Sequence, residues 1–442
     1  MDPALVESLS RKVRERQREW RSPGVAAGVV RDGALAWSLG VGASDVAAPD
    51  RAPGPDTAFA IGSISKTFTA SLIMSLRDEG RLALSDPVSR FLDVPAHGGL
   101  TVRDLLAHAS GLQREPVGDL WDTLVVPSIE SVVRDLAEAE QVLPARRRWH
   151  YSNLAYSLLG EVVARIDGRP WASSLQERLL DPLGMTRTSL TPASPAALGY
   201  YTDPFTDQVH PEKWPDMASF SSAGGLWSTV SDLSRWCAFL TSGADGVLSA
   251  DTLDEMTRPE IMSDLENWTL AWGLGLELFR RGERILVGHE GAMPGFLASV
   301  VVRRVDRVGA VVLCNTSAGA DPAGLALDLV GDVLDSSPPS VSPWRPGPAV
   351  PDSMVPLVGR WWSEGSGFTF SVRDGRLEAR RDDQAASKPP AVFEPAGADR
   401  YRAVSGREEG ELLLVERDSS GSVTRMRWAT YPFTREPQTF GA

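Results

Sequence analysis

At residues 59–68 the chain reads Phe-Ala-Ile-Gly-Ser-Ile-Ser-Lys-Thr-Phe. The residues from here on predict a buried helix, because apolar side chains recur every four positions, at Ile64, Phe68, Leu72 and Leu76. Gly80 is a stop signal for this helix. Ser63 then lies in the first turn, and Lys66 lies one turn later on the same face. An amine there can remove the proton of the serine hydroxyl, so the stretch predicts a serine nucleophile with a lysine base.

Other interpretations of this stretch have to be weighed. Ser63 also fits an N-cap and Lys66 an exposed helix lysine, and Ser-x-x-Lys occurs by chance in many helices. A phosphate-binding loop would need glycines where the chain has Ala60 and Ser65, so that interpretation fails. The motif alone is weak and needs partners elsewhere in the chain.

Two further stretches supply such partners. Tyr151-Ser152-Asn153 precedes an apolar helical run at 154–164, and His289-Glu290-Gly291-Ala292 lies between β-like runs at 285–287 and 296–302. With Ser63 and Lys66, in this order, they resemble the three motifs of the serine β-lactamase and penicillin-binding-protein superfamily. The class C β-lactamase, D-aminopeptidase and esterase branch is the most similar, and its accessory signatures match at 105–112 and 224–229. The resemblance covers roughly residues 5 to 335.

This resemblance implies roles for the motif residues. Ser63 attacks an acyl carbon, and a proton shared between Lys66 and Tyr151 leaves open which of them is the base. Asn153 orients Lys66 and binds a substrate amide. The oxyanion hole is formed by the backbone N–H groups of Ser63 and Ala292.

The third motif departs from the class C β-lactamases at His289, where they carry lysine. A histidine is only partly charged at neutral pH, so its hold on a free substrate carboxylate is weaker. The departure argues against penicillin hydrolysis and favours esters, thioesters or peptides without that carboxylate. Gly225, Trp227 and Gly291 are the further residues expected to bind substrate. No histidine pair has metal-ligand spacing, and neither a metal nor a cofactor is expected.

Composition and charge narrow the class of protein. A chain of 442 residues has room for two or three domains, and its hydrophobic and charged fractions of 42% and 23% are those of an ordinary globular protein. The formal net charge of −13 argues against nucleic acid as a partner. No secretory signal pattern and no run of membrane-span length occurs, so a cytoplasmic protein without membrane contact is expected. Cys237 and Cys314 imply no disulfide framework and are expected to be buried.

An α/β catalytic domain is predicted over residues 1–336. Its elements are a helix, two strands, a mainly helical region, further strands and a last helix, at 4–20, 25–30, 35–39, 63–240, 268–314 and 322–334. The expected fold is a β-lactamase/transpeptidase-like antiparallel sheet, built from both ends of the domain and flanked by helices, plus an all-helical lobe. The active site is expected in the crevice between them. Residues 195–222 lack periodicity and are expected to form a long ordered loop.

A proline-rich linker and a small β domain are predicted to follow. The linker spans 337–356, because prolines cluster there. Residues 357–442 contain short alternating runs separated by turns, which predict strands. This part resembles the lipocalin-like β-barrel that is appended to some members of the superfamily, and a purely stabilising role for it stays open.

The combination of features points to one group within the superfamily. A cytoplasmic member with His-x-Gly, a proline-rich linker and one C-terminal β domain resembles the penicillin-binding-protein-type thioesterases, and the stretches 359–365 and 428–435 add to the likeness. The likeness implies that Ser63 takes a peptidyl chain from a thioester on a carrier-protein domain of a nonribosomal peptide synthetase. The N-terminal amine of the peptide then releases it as a macrocycle, with hydrolysis as a side reaction. Arg435 is expected to reach the cleft and contact the peptide.

Two other functions stay open. One is a cytoplasmic esterase or D-aminopeptidase of the same fold, for which a small ester or a D-amino-acid amide is the better substrate. The other is a non-catalytic binding protein that keeps the fold. The intact set of Ser63, Lys66, Tyr151 and Asn153 argues against the second.

Overall fold

The chain forms two compact units, Met1–Pro338 and Pro339–Ala442. The structure is a computed structural model that describes residues 1–336 and 344–439. Part of the predicted linker, at 337–343, lies outside the described residues, and its exact bounds stay a prediction. In the described ranges, no helix is both long enough and apolar enough to cross a membrane.

Antiparallel strands form the centre of the first unit. In chain order they are β1 (Gly24–Arg31), β2 (Ala34–Gly42), β3 (Phe59–Ala60), β4 (Tyr200–Thr202), β5 (Val209–Pro211), β6 (Trp227–Ser228), β7 (Ile261–Met262), β8 (Leu270–Trp272), β9 (Glu277–Arg281), β10 (Arg284–Met293), β11 (Phe296–Arg303) and β12 (Val308–Cys314). Eight of them form one sheet in the order β2-β1-β12-β11-β10-β9-β8-β7, and β3–β6 and β4–β5 form two small ribbons. The N-terminal hairpin lies beside the last strand, which confirms the prediction of a sheet built from both ends of the domain.

Helices cover the sheet and build the lobe. The α-helices are α1 (Pro3–Trp20), α2 (Ser65–Asp78), α3 (Val102–Leu106), α4 (Leu120–Thr123), α5 (Ile129–Arg134), α6 (Asn153–Asp167), α7 (Trp171–Leu175), α8 (Asp181–Leu183), α9 (Ser221–Gly224), α10 (Val230–Ser242), α11 (Ala250–Met256) and α12 (Pro322–Ser336). Shorter 3-10 turns lie at Gly62–Ile64, Val88–Arg90, Asp135–Ala137, Ala218–Phe220 and Val355–Leu357, and a π-turn lies at Gln176–Leu180.

Each face of the sheet has its own core. The inward side chains of α1, at Leu5, Leu9, Val13 and Trp20, pack with α12 against one face, as the sequence predicts. On the other face, α2 and α10 join the sheet to the helical lobe in a larger core, where Phe68 stacks on Trp236 with 3.8 Å between ring centroids. Cys237 and Cys314 are fully buried in these cores. The predicted α/β class is confirmed.

Two details differ from the sequence-based expectations. The third motif, expected between two β-like runs, lies inside β10, because the ladder with β11 continues to Met293. Residues 195–222, expected to be a loop, contain β4, β5 and the start of α9. These elements are three or four residues long, so they are too short to show a periodic pattern in the sequence.

The second unit is a β meander. Its strands are β13 (Gly359–Ser363), β14 (Ser366–Arg373), β15 (Arg376–Arg381), β16 (Ala391–Gly397), β17 (Arg400–Ala403), β18 (Leu412–Arg417), β19 (Val423–Trp428) and β20 (Tyr431–Phe433), paired in sequence order. Trp362 of β13 exchanges two backbone hydrogen bonds with Thr434, at 2.8 and 3.0 Å. The first strand therefore meets the end of the last. The alternating side chains fill the interior, and the predicted lipocalin-like β domain is confirmed as a near-closed barrel.

Candidate active site

Ser63 and Lys66 lie side by side at the start of α2. Ser63 lies in the 3-10 turn that precedes the helix, and Lys66 is completely buried. Lys66 Nζ is 3.1 Å from Ser63 Oγ and donates a hydrogen bond to the Ala223 carbonyl at 2.7 Å. A carbonyl oxygen can only accept, so a neutral Lys66 amine keeps its lone pair for the proton of Ser63.

The surroundings of Lys66 favour its neutral form. Burial lowers the pKa of Lys66 well below its usual range, and the nearby Arg114 charge acts in the same direction. The carboxylates of Glu115 and Glu277 oppose the shift without cancelling it. The lysine is thus moved toward the form that can act as a base.

The pKa of Tyr151 is shifted in the opposite direction from that of Lys66. Burial of its hydroxyl raises the pKa of Tyr151 above its usual range, although a hydrogen bond with Ser63 acts against this. Lys66 Nζ lies 4.9 Å from the centre of the Tyr151 ring. The opposite directions favour Lys66 as the base that activates Ser63, with Tyr151 as a neutral proton donor beside it.

Aromatic rings hold Tyr151 in place. His108 stacks on it with 4.2 Å between ring centroids, and Trp272 of β8 meets it edge-on at 5.8 Å. The backbone N–H of Ser152 donates to His108 Nδ1 at 3.0 Å, which requires that nitrogen to be unprotonated. Burial lowers the pKa of His108, so the ring is neutral. The stretch at 105–112 therefore positions the second motif, whereas Trp272 carried no signal in the sequence.

Asn153 has a different partner from the expected one. Its amide nitrogen donates to both carboxylate oxygens of Glu115, at 2.9 and 3.1 Å. Its Oδ1 atom is buried without a hydrogen-bond partner in the described part of the chain. The expected orienting bond from Asn153 to Lys66 is not formed, because the lysine is held by Ser63 and Ala223.

The two expected oxyanion donors meet where β10 crosses the turn before α2. A Cβ atom added to Gly62 would lie 2.7 Å from the Ala292 nitrogen, and one added to Gly291 would lie 2.0 Å from the Ile61 carbonyl oxygen and 3.4 Å from the Ser63 nitrogen. Gly62 also has a φ of 51°, in the left-handed region. The backbones at Ser63 and Ala292 approach this closely only because glycines stand on both sides. Gly291 therefore shapes the site, and the expected contact with substrate stays a prediction.

The surroundings of His289 favour a neutral ring over the partial charge that the sequence led us to expect, although Glu277 Oε1 lies 3.7 Å from its Nδ1. His289 is 1% exposed, and burial lowers its pKa to about 3. Nδ1 lies 2.5 Å from the Glu290 carbonyl oxygen, so this nitrogen carries the proton and Nε2 has the free lone pair. A neutral imidazole offers no charge to a substrate carboxylate, and this extends the argument against penicillin hydrolysis.

Gly225 and Trp227 are buried near the active site. A Cβ atom on Gly225 would lie 2.7 Å from Ser221 Cα, and Trp227 is 5% exposed with its ring edge-on to Phe296 at 5.0 Å. The Leu226 between them accepts from the Ile61 N–H at 2.9 Å. These contacts give both residues a packing role, and their expected contact with substrate stays a prediction.

Arg435 is engaged inside the β domain. It donates to the carbonyl oxygens of Arg360, Pro356 and Val358 at 3.0, 2.6 and 3.2 Å, and its guanidinium lies 3.8 Å from the centre of the Trp361 ring. These contacts give it a structural role there. Its contact with a peptide stays a prediction.

Comparison with known proteins places the site in a family. A family model described as Beta-lactamase matches residues 9–335, which include all three motifs. This chain belongs to the beta-lactamase family. A second model, of a domain of unknown function called DUF7586, matches residues 350–435 in the β domain of this family member.

Relatives of this beta-lactamase family member include a hydrolase and an aminopeptidase. It is 26% identical over 473 residues to the unguisins hydrolase of Aspergillus violaceofuscus, with 89% of this chain and 82% of the relative covered. It is 25% identical over 450 residues to the D-aminopeptidase of Brucella anthropi, with 96% and 79% covered. The structure of the octameric penicillin-binding protein homologue from Pyrococcus abyssi matches with a TM-score of 0.67 at 23% identity, over 98% of this chain and 100% of that one. The chain is thus a beta-lactamase-like serine hydrolase.

Metal-ligating side chains are not grouped in the described part of this family member. Within residues 1–336 and 344–439, no cluster of three or more His, Cys, Asp and Glu side chains is arranged so that it could hold a metal ion. The groups that surround Ser63 are the amine, phenol and imidazole described above.

The pH dependence of this serine hydrolase provides a test of the lysine base. The rate of Ser63 acylation falls as the pH drops through the pKa of Lys66, because the protonated amine cannot accept a proton. Arg114 lowers that pKa and Glu115 raises it. We therefore expect Arg114→Gln to move the acidic limb of kcat/KM to higher pH and Glu115→Gln to move it to lower pH, measured with p-nitrophenyl acetate. Shifts of both variants in the same direction would contradict the assignment, and Arg165→Gln, on the exposed side of α6, is the control.

Proposed function

We propose that this protein is a stand-alone thioesterase that accepts a nonribosomal peptidyl thioester on Ser63 and releases it by head-to-tail macrocyclisation. The observation that carries the proposal is the buried Lys66 amine, 3.1 Å from Ser63 Oγ, beside a neutral His289. Such a site forms an acyl-enzyme but offers no cation at His289 for a free carboxylate. Hydrolysis is the side reaction.

The residues give a balanced acylation step. Ser63 Oγ attacks the thioester carbonyl while Lys66 takes its proton, and the N–H groups of Ser63 and Ala292 receive the negative charge on the oxygen. The carbon–sulfur bond then breaks, and Tyr151 gives its proton to the leaving thiolate. The proton on Lys66 returns to Tyr151, so the net products are the acyl-enzyme and a free thiol.

Release repeats the steps with an amine as nucleophile. The N-terminal amine of the peptide attacks the ester carbon, and Lys66 takes the proton that the nitrogen loses. The bond between the carbonyl carbon and Ser63 Oγ then breaks, Lys66 passes its proton to Ser63 Oγ, and the new amide bond closes the ring. A water molecule in place of the amine gives the linear acid, so exclusion of water from the acyl-enzyme decides the product.

The relatives support a peptide substrate with a D-configured residue. Several relatives are named D-aminopeptidases, and they match most of this chain. We therefore propose a peptidyl chain that ends in a D-residue or glycine. A carrier-protein domain as the donor and a cytoplasmic location belong to the same proposal.

A second candidate function is a D-aminopeptidase or esterase. The contact that favours it is the one between Asn153 and Glu115, because a carboxylate beside the acyl site suits a substrate with a free amine. This candidate predicts faster turnover of a D-amino-acid amide than of a peptidyl thioester.

Mass spectrometry separates the two functions. The protein is incubated with a linear peptidyl N-acetylcysteamine thioester that has a free N-terminus and a D-configured C-terminal residue, and Ser63→Ala is the control. We expect a Ser63-dependent product that is lighter than the linear acid by one water. Linear acid alone, together with rapid cleavage of D-amino-acid amides, would replace the cyclase with the aminopeptidase.

A further inference from the structure

A short segment beside the second motif is fixed on the first turn of α6. Ser152 Oγ donates to the Gln113 carbonyl at 2.8 Å, and the N–H groups of Asn153 and Leu154 donate to the Arg114 carbonyl at 2.7 and 3.2 Å. The first N–H groups of a helix have no partner within it, so these bonds satisfy part of that need. The next residue, Glu115, is consequently held at a defined place.

The Glu115 carboxylate is incompletely paired. Its two oxygens accept from the Asn153 amide, and Arg114 Nε lies 3.4 Å from one of them. The Glu115 side chain is 20% exposed, whereas the Arg114 side chain is 65% exposed and therefore a weak, solvated partner. A carboxylate has about four acceptor positions, so capacity for a further donor remains.

The same carboxylate lies within electrostatic reach of the reacting groups. It is the strongest of the charges that act on Lys66, and it also acts on Tyr151. Arg114, its neighbour in the chain, places its guanidinium 4.9 Å from the centre of the Tyr151 ring. Glu115 and Arg114 therefore stand together at the second motif.

The bond to Glu115 changes what the site offers to a substrate. One N–H bond of the Asn153 amide is shared between the two oxygens of the carboxylate, which leaves the other N–H available to a substrate carbonyl. Beside this N–H the site presents an anion with free acceptor positions. A primary ammonium group, with three donors and a positive charge, is the chemical complement of such an anion.

We propose that Glu115 binds a primary ammonium group of the substrate. This inference rests on the proposed function, because it assumes an aminoacyl or peptidyl substrate. Two sources share the chemistry: the α-amine of the residue that acylates Ser63, and the N-terminus of a longer peptidyl chain that folds back toward Ser63. In the second case the ammonium group loses one proton to solvent before the amine attacks the ester.

Matched substrates test the proposal. We use the N-acetylcysteamine thioesters of D-phenylalanine and of a pentapeptide that ends in D-phenylalanine, each with a free and with an acetylated N-terminus. Thiol release, measured on the alkaline plateau of the pH profile, gives kcat/KM whether water or an amine resolves the acyl-enzyme. We expect the wild type to prefer the free amine roughly tenfold or more in one of the two pairs. The pair that shows the preference identifies the source of the ammonium group.

Substitution of Glu115 is the decisive step. In Glu115→Gln the side chain keeps an oxygen for Asn153 but loses its charge, so we expect the preference for the free amine to fall to roughly twofold or less. Glu161→Gln, further along α6 and paired with Arg165 at 2.6 Å, is the matched control and is expected to keep it. Equal losses for free and acetylated substrates, or no preference in the wild type, would overturn the proposal.

The outcome for Glu115 is separable from the outcome for the proposed function. A preference for the amine without cyclic product supports Glu115 as an ammonium site and overturns the cyclase. If no thioester is cleaved, the p-nitrophenyl esters of the same four acyl groups are used, and nitrophenol release reports the preference in the same way.

Discussion

Replacement of Lys66 with methionine is expected to lower the rate of Ser63 acylation roughly 100- to 10,000-fold, the range found for loss of a general base. The same change is expected to leave the melting temperature unchanged or to raise it. Lys66 is 0% exposed, and an amine in an apolar interior costs stability that an apolar side chain of similar length does not. Function and stability should therefore respond in opposite directions.

The rate of Ser63 labelling by a fluorophosphonate measures the first effect, and calorimetry measures the second. Lys12→Met is the control and should keep the wild-type labelling rate, because Lys12 lies in α1, in a half-buried ion pair with Asp332 of α12. Labelling of Lys66→Met at more than a tenth of the wild-type rate would show that another group removes the serine proton. A melting temperature lowered by many degrees would show that the lysine is charged and paired in the folded protein.

Replacement of Gly291 with alanine is expected to lower kcat roughly 100- to 1,000-fold, as expected for loss of one oxyanion donor. The added Cβ would lie 2.0 Å from the Ile61 carbonyl oxygen and 2.9 Å from its carbon, which is too close for β10 to stay where it is. A shift of β10 away from the turn at Gly62 moves the Ala292 N–H from the position of the developing negative charge. Substrate binding away from the carbonyl should change less, so most of the loss falls on kcat.

Steady-state kinetics with a p-nitrophenyl ester tests this. Gly331→Ala, in α12, is the matched control, because its Cβ meets no atom within 4 Å and alanine favours a helix over glycine. It should leave kcat unchanged and the stability equal or slightly higher. A kcat of Gly291→Ala within threefold of the wild type would mean that the Ala292 N–H does not take part in the reaction.

The helical and motif-bearing parts of the site could be predicted from the sequence. The four-residue spacing from Ile64 onward predicted α2 and its buried face. It therefore also predicted that Lys66 lies beside Ser63. The inward face of α1 and the long strands β10 to β12 follow from periodicity in the same way. In each case the signal is local, since neighbouring residues report on the same helix or strand.

The rest of the site depends on contacts between distant residues. The Ala223 carbonyl that holds Lys66 is a backbone atom, so no residue type marks it. Glu115 contacts Asn153 because a loop packs on α6, and Trp272 contacts Tyr151 from the end of β8. Trp227 is close in the sequence to Ala223, yet its side chain packs in an aromatic cluster with Trp214 and Phe296. Sequence spacing does not report the direction of a side chain across the fold.

The pairing of β1 with β12 has a consequence for the stage of synthesis at which the enzyme becomes active. Val25 lies opposite Cys314, so the central sheet joins residues from opposite ends of the catalytic unit. Contacts this distant in the chain close late and slow folding. During synthesis, the Ser63 segment leaves the ribosome long before its partner at Ala292 has been made. A nascent chain therefore carries the nucleophile without the groups that complete the acylation site, and reactivity should appear only when nearly the whole catalytic unit has been translated and folded.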